Sequence, residues 1–162
     1  MLENLLSTDN RKVPIEWKDY NGHMSEWHYL EVFSNATDKL MEIIGMSSDY
    51  INMTKLSYFT VETHIRHLDE INVGTNINVK TQVLDGEGKK FRIFHFLLKE
   101  DGTIAASGEH MLIHVNLKTR ASCLPENIIL DKIKSIINSQ SNILHPDGAG
   151  KGIGQRQKSE KQ

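Results

Sequence analysis

The sequence predicts an α+β domain, on three observations. One long stretch near the N-terminal end repeats apolar residues every three and four positions. Four strand-like stretches follow it, Leu56–Leu68 and Thr75–Leu84 alternating apolar and polar residues with period two and Phe91–Leu98 apolar on both faces as a central strand is. A further helical stretch closes the folded part. A lone helix with an apolar stripe has to be covered, and the sheet made by the strands is the surface available to cover it. At 162 residues, one domain is expected. A chain of this size buries roughly 68–70% of its unfolded surface, enough for a core of its own.

The elements follow in order. Residues 1–10 are polar and are expected to be a loose lead-in. Val13–Trp17 alternates and reads as a short strand, with Pro14 restricting it to an edge or a strand start. Asp19–Met24 is a turn built from Asp, Asn and Gly. From Ser25 the period changes. Tyr29, Leu30, Phe33, Ala36, Leu40, Ile43 and Ile44 mark an amphipathic helix of about five turns, with Ser25 as N-cap and Gly45 as its stop. Leu56–Leu68 alternates, with Phe59, Val61, Thr63 and Ile65 on one face and Tyr58, Glu62, His64 and Arg66 on the other. Thr75–Leu84, Phe91–Leu98 and Thr103–Val115 are the next three strands, separated by turns at Asp85–Gly88 and Asp101-Gly102. Pro125–Ile137 reads as the terminal helix. The domain is therefore expected over 11–137, followed by a polar, Gly-rich, disordered tail over 138–162.

Bulk properties remove several function classes. Net charge is −2 and the sequence pI is about 6.4, which gives no electrostatic reason to expect nucleic acid or an anionic membrane as partner. No stretch approaches the ~20 apolar residues of a membrane span. The first ten residues lack a basic region followed by an apolar run, so no secretory signal is expected. The one cysteine, Cys123, cannot form an intramolecular disulfide, which fits a reducing compartment; the cytoplasm is the expected location.

The turn at Asp19–Met24 concentrates groups that carry chemistry, and it runs directly into a helix N-terminus. A helix start offers unpaired N–H groups and partial positive charge, suited to a developing oxyanion. Asp19 beside it can act as nucleophile or as general base toward water. Asn21 can orient water or a carbonyl, and His23 can donate or accept near neutral pH. Gly22 permits close approach of a ligand to the backbone. Asx-rich turns before helices are common, and these residue types serve other reactions as well as acyl transfer.

The stretch VPIEWKDYNGHMSEWHYLEVFSNATDKL, Val13–Leu40, resembles the opening of the hotdog acyl-CoA thioesterases related to 4-hydroxybenzoyl-CoA thioesterase. In that family a catalytic Asp precedes the central helix and a Tyr follows ten residues later; Asp19 and Tyr29 match. The spelling Asp-x-Asn-x-His also resembles the plant acyl-ACP thioesterases, where Asp, Asn and His act with a Glu further on. Glu70 is the first candidate for that Glu and Glu62 the second. A closer likeness extends over FTVETHIRHLDEINVG and GEHMLIHVNLKTRAS, which are similar to the betainyl-CoA thioesterases of bacterial carnitine breakdown. The resemblance implies a sheet wrapped round the long helix, and a homodimer or dimer of dimers joined sheet edge to sheet edge. It also implies active sites at the subunit interface that bind acyl-CoA.

On that reading Asp19, Asn21, His23 and Glu70 are catalytic, and the N–H groups around Glu26 and Trp27 hold the oxyanion. Neither metal nor redox cofactor is required. A trimethylammonium acyl group would need aromatic faces and a carboxylate; Trp17, Trp27, Tyr20 and Glu62 are the candidates, with His64 lining the pocket beside Glu62. The competing expectations are a medium-chain or aromatic acyl-CoA as substrate, or a domain that binds acyl-CoA without cleaving it. The eight histidines do not spell a zinc site. His110 and His114 share a strand face but lie about 13 Å apart along it, at ~3.3 Å per residue. Cys123 has no evident partner for a nucleophile's role. The glycines of 148–154 lack the Lys-Ser/Thr ending of a phosphate loop.

Overall fold

A computed structural model describes residues 2–155. Its long helix, α1 (Glu26–Ile43), lies against the inner face of a curled antiparallel sheet. The strands are β1 (Leu6–Lys12), β2 (Leu56–His67), β3 (Asn76–Asp85), β4 (Lys90–Lys99), β5 (Ile104–Asn116) and the two-residue β6 (Ala121–Ser122). They pair in the order β1-β3-β4-β5-β2, with β6 on β5. A short helix, α2 (Ser48–Thr54), connects α1 to β2, and α3 (Asn127–Ser139) follows the sheet. This is the expected α+β hotdog layout. Among the described residues, no helix is long and apolar enough to cross a membrane.

Two expectations near the N-terminus change. Val13–Trp17 is not a strand: Pro14 precedes a single 3-10 turn, Ile15–Trp17, that buries Trp17. The first strand lies in the segment read as a loose lead-in, with Asn10 opposite Asn78 and Lys12 opposite Asn76. Its polar sequence concealed it. As an edge strand it buries only Thr8, whose hydroxyl meets that of Thr81 at 2.7 Å.

The stripe of α1 buries His28, Tyr29, Val32, Phe33, Ala36, Thr37 and Leu40. Leu30, expected on that stripe, stays half exposed. The helix ends as expected at Gly45 (φ +95°). The N–H of Gly45 donates to Glu42 O at 3.0 Å and that of Met46 to Met41 O at 2.8 Å. These are the two bonds of a Schellman stop, which needs the left-handed residue.

Strand β2 carries a correction of phase. A register shift between Thr60 and Glu62 leaves Val61 as an extra residue, so the alternation flips there. Tyr58 stands opposite His114, Thr63 opposite His110 and His67 opposite Ala106. These three share the inward side. Glu62 and His64 stand opposite Met111 and Glu109 and face outward.

The C-terminal part is tied to the sheet. Ile129 and Ile133 of α3 are buried. Gln140 accepts from Val83 N at 2.8 Å and donates to Thr81 O at 3.1 Å. Part of the stretch expected to be a disordered tail, 138–155, is therefore within the described structure: the N–H of Gly150 donates to the Glu109 carboxylate at 2.7 Å on the outer sheet face. The remainder of that expectation, 156–162, lies outside the described residues.

Candidate active site

The turn before α1 is held from both sides. The N–H of Ser25 donates to Trp17 O at 2.8 Å and that of Met24 to Ile71 O at 2.7 Å, and His23 pairs with Asn72 as an isolated bridge. Within the turn, Asp19 N–H donates to His23 O at 2.8 Å and Gly22 N–H to Asp19 O at 3.2 Å. Gly22 sits at φ +96°, a conformation that favours glycine.

The Asp19 carboxylate organises this loop. It accepts the N–H of Asn21 at 2.8 Å and of His23 at 3.3 Å, and the Asn21 amide at 3.4 Å. Desolvation pushes its pKa upward, but the hydrogen bonds from Asn21, His23 and Gly22 outweigh that and hold the carboxyl below the ordinary Asp value. Asp19 is therefore an anion at neutral pH, the form a base or nucleophile needs.

Around it is an open cavity of about 530 Å³, lined by Asp19, Asn21, His23, Glu26, Tyr29, His67, Asp69 and Glu70 among others. His23 Nε2 lies 3.2 Å from a Glu70 carboxylate oxygen. The loop after β2 thus brings Glu70 to the turn. Tyr29 is buried, and its ring meets that of His67 edge-on at 4.6 Å. Burial raises the Tyr29 phenol, and the nearby carboxylates of Asp69, Glu70 and Asp19 raise it further, so it stays a protonated donor. Four carboxylates line the cavity and no Lys or Arg does, although Asp69 is paired with Lys99 at 2.8 Å.

At the head of α1, Ser25 makes no side-chain cap bond. Among the described residues no side chain accepts from the N–H groups of Glu26 and Trp27, which leaves the first turn available to an oxyanion.

Other expected contributors lie elsewhere. Glu62 and His64 line a separate cavity on the outer sheet face, with Arg92, Glu109 and Lys151. The phase flip at Val61 and the sheet itself keep them from Asp19 within one protomer. The proposed aromatic cage does not close either. Trp17 is buried and stacked on His28 at 4.1 Å, which makes it a packing residue. Tyr20 is 98% exposed and Trp27 64%; Trp27 only tilts over the outer side of His28. Sequence reasoning passed over His67. The available signal was its place at the end of the strand leading to Glu70. Among the described residues no group of three or more His, Cys, Asp or Glu is placed to hold a metal ion. Cys123 has a partner after all, with Sγ 3.4 Å from His114 Nδ1. That nitrogen is 3.0 Å from the Cys123 carbonyl, and burial lowers the His114 pKa. A neutral imidazole holding a backbone carbonyl fits a loop anchor.

The family model of the thioesterase-like superfamily matches residues 13–135. The chain belongs to the thioesterase-like superfamily. It is 36% identical to the betainyl-CoA thioesterase of Pseudomonas aeruginosa, covering 94% of this chain and 97% of that one. It is also 49% identical over 146 residues to the L-carnitine dehydrogenase/betainyl-CoA thioesterase of Ruegeria pomeroyi, which covers 90% of this chain. The chain spans only 30% of that longer relative. Among solved structures, a hypothetical protein of Staphylococcus aureus in complex with CoA superposes with a TM-score of 0.86 at 27% identity, over 92% of this chain and 95% of that one. A putative thioesterase of Pseudomonas putida superposes at 0.79 and 32% identity, over 92% and 96%.

Proposed function

We propose that this superfamily member hydrolyses an acyl-CoA thioester to the free acid and CoA, with Asp19 at the reacting centre. The observation that carries this is an ionised, hydrogen-bonded carboxylate at the mouth of a helix whose first N–H groups have no side-chain cap. Asp19 either removes a proton from water or attacks the carbonyl carbon. In both routes the carbonyl oxygen gains charge, and the N–H groups of Glu26 and Trp27 are the donors for it. Asn21 orients water, and the His23–Glu70 pair supplies a donor toward the leaving sulfur. The chemistry needs neither metal nor redox cofactor.

The substrate proposed first is betainyl-CoA. The similarity to betainyl-CoA thioesterases supports it, and so does a cavity lined by Asp19, Glu26, Asp69 and Glu70 without Lys or Arg. A field of that sign favours a cationic acyl group over a fatty or benzoyl one. The test is thiol release over a panel of acyl-CoAs. The reading predicts the highest kcat/KM for betainyl-CoA; a higher value for a medium-chain or aromatic acyl-CoA would replace it, and no thiol release with any would favour a binding domain.

We also propose that two copies join through β2. This strand is an edge of the sheet, twelve residues long, and residues 59–63 are all exposed, Phe59 and Val61 among them. A long edge with apolar side chains is a template for pairing. Antiparallel pairing sets the His67 end of one strand beside the Leu56 end of the other, which brings the second copy to the open side of the Asp19 cavity. Size-exclusion chromatography with light scattering tests this: a dimer or tetramer is expected, and a monomer at micromolar concentration contradicts it. The reduced thiol of Cys123 and the acyl-CoA substrate both suit the cytoplasm.

A further inference from the structure

The loop that carries Asp19 leaves Trp17 and returns at Ser25, where the N–H of Ser25 donates to Trp17 O at 2.8 Å. Side chains join the same two ends a second time. His28, in the first turn of α1, is 3% exposed and lies between two indoles. Its ring is stacked on Trp17, with centroids 4.1 Å apart and planes at 13°. Trp27 lies over the other face at 3.5 Å and 33°. The Arg11 guanidinium extends the stack, 5.8 Å from the centre of the Trp17 ring, and is itself held by Asp9 at 2.7 Å. The contacts therefore run from β1 through the 3-10 turn to the head of α1.

We infer that this stack is a positioning device for the reaction, with His28 at its centre, and that it fixes the spacing between the Asp19 carboxylate and the N–H groups of Glu26 and Trp27. The inference rests on the thioesterase reading of the Asp19 turn. The first observation is where the rings are attached. Trp17 stands two residues before Asp19, and Trp27 carries one of the two N–H groups in its own backbone. The rings that enclose His28 thus belong to the two backbone segments that must face each other across a reacting carbonyl. Helix ends fray unless they are tied down, and the Ser25 side chain makes no cap bond here. The stack supplies that restraint. Donors for a developing oxyanion have to be held within about 0.5 Å of the productive position.

The second observation is the kind of residue at the centre. Position 28 lies on the buried stripe of α1, beside Tyr29 and Val32, where an aliphatic side chain would bury without a polar cost. A histidine offers what an aliphatic residue lacks. Its flat faces take an indole on each side, and its edge carries a donor. Nδ1–H donates to the Glu31 carboxylate at 2.7 Å, one turn further along the same helix. That bond fixes the plane of the ring, and the plane of the ring sets where both indoles lie. The N–H of His28 in turn donates to Ser25 O at 3.1 Å, which ties the ring to the residue that closes the loop.

Two full-chain variants test the inference, with thiol release from the best acyl-CoA of the panel and backbone amide order parameters by NMR as readouts. Donors used in the transition state act on kcat more than on KM. His28→Ala should lower kcat by about 10–10²-fold and leave KM within about twofold. The Trp27 ring is 64% exposed, so Trp27→Ala removes one layer of the stack and leaves the core packed. It should lower kcat by about three- to tenfold, again without a matching change in KM. In both variants the order parameters at positions 26 and 27 should fall from about 0.85 toward about 0.6, while those of positions 32–40 stay as they are. Unchanged order parameters at 26 and 27 in both variants would overturn the inference. So would a rise in KM with kcat intact, which would make the rings substrate contacts. Absence of thiol release from the wild type would instead remove the thioesterase reading, and the order parameters would still decide whether the stack holds the turn.

Discussion

At the scale of single residues, Asp19 is distinguished by what its carboxylate already holds. Both its oxygens accept donors from its own turn, so loop shape and carboxylate ionisation are one property. Asn21→Ala removes one donor while keeping the backbone bond. The acid limb of kcat/KM should then move to higher pH, toward the ordinary carboxylate range, whereas the wild-type limb lies below it. Initial rates after brief pH jumps would show this; a limb that stays in place would mean that Asn21 does not tune the carboxylate. The turn itself was legible in the sequence, because Asp, Asn and Gly each have a local reason to be there. The aromatic cage was not. Trp17 and Trp27 are both near the motif in sequence, yet one is stacked in the interior and the other faces solvent. Composition near a motif says nothing about which way a ring points.

At the scale of elements, the strong periodic signals gave the right elements and the weak ones did not. The alternation of β3 and, Leu30 apart, the stripe of α1 set position and face correctly. Strand β1 is polar because it is an edge and buries little, so period-two reasoning had no apolar residues to count. Helix α2 is seven residues long, too short for a periodic signal. In β2 the extra residue Val61 separates Tyr58 from Glu62 and His64, which the alternation put on one face: Tyr58 points inward, Glu62 and His64 outward, and His67 reaches the Asp19 cavity. Close packing of elements makes a further prediction. A Cβ added at Gly86 would lie 2.2 Å from Ile133 Cγ2, so glycine is what lets α3 seat against the end of β3. Gly86→Ala should destabilise by about 1–3 kcal/mol through overpacking, measured by urea unfolding. A neutral effect would show that α3 docks more loosely than this contact requires.

At the scale of the whole molecule, a buried polar chain crosses the core under α1. Thr8, Thr81, His95 and Thr37 are linked in series, with Thr81 to His95 Nδ1 at 2.8 Å and His95 Nε2 to Thr37 at 3.0 Å. His95 is fully buried; desolvation first, and then His110, push its pKa well below the ordinary value. His110 is lowered to about 4. A histidine whose folded pKa is depressed gives its stability above the unfolded value of ~6.5. That stability is lost as pH falls from there toward the folded pKa, because the unfolded chain takes up the proton first. Urea midpoints should therefore fall steeply between pH 7 and pH 5. His95→Gln, which keeps hydrogen-bonding capacity without a titrating group, should flatten that slope while lowering stability at pH 7.

The chain as a whole is read as an enzyme that cleaves a thioester at the Asp19 turn, and one variant tests this most directly. Asp19→Asn keeps the size of the side chain and one acceptor oxygen for the turn. Thiol release from betainyl-CoA, or from the best acyl-CoA of the panel, should fall by about 10²–10⁴-fold, with the thermal midpoint within a few degrees of the wild type. A variant that stays folded and turns over at near the wild-type rate would contradict the account, and the chemistry would then have to lie elsewhere in the fold.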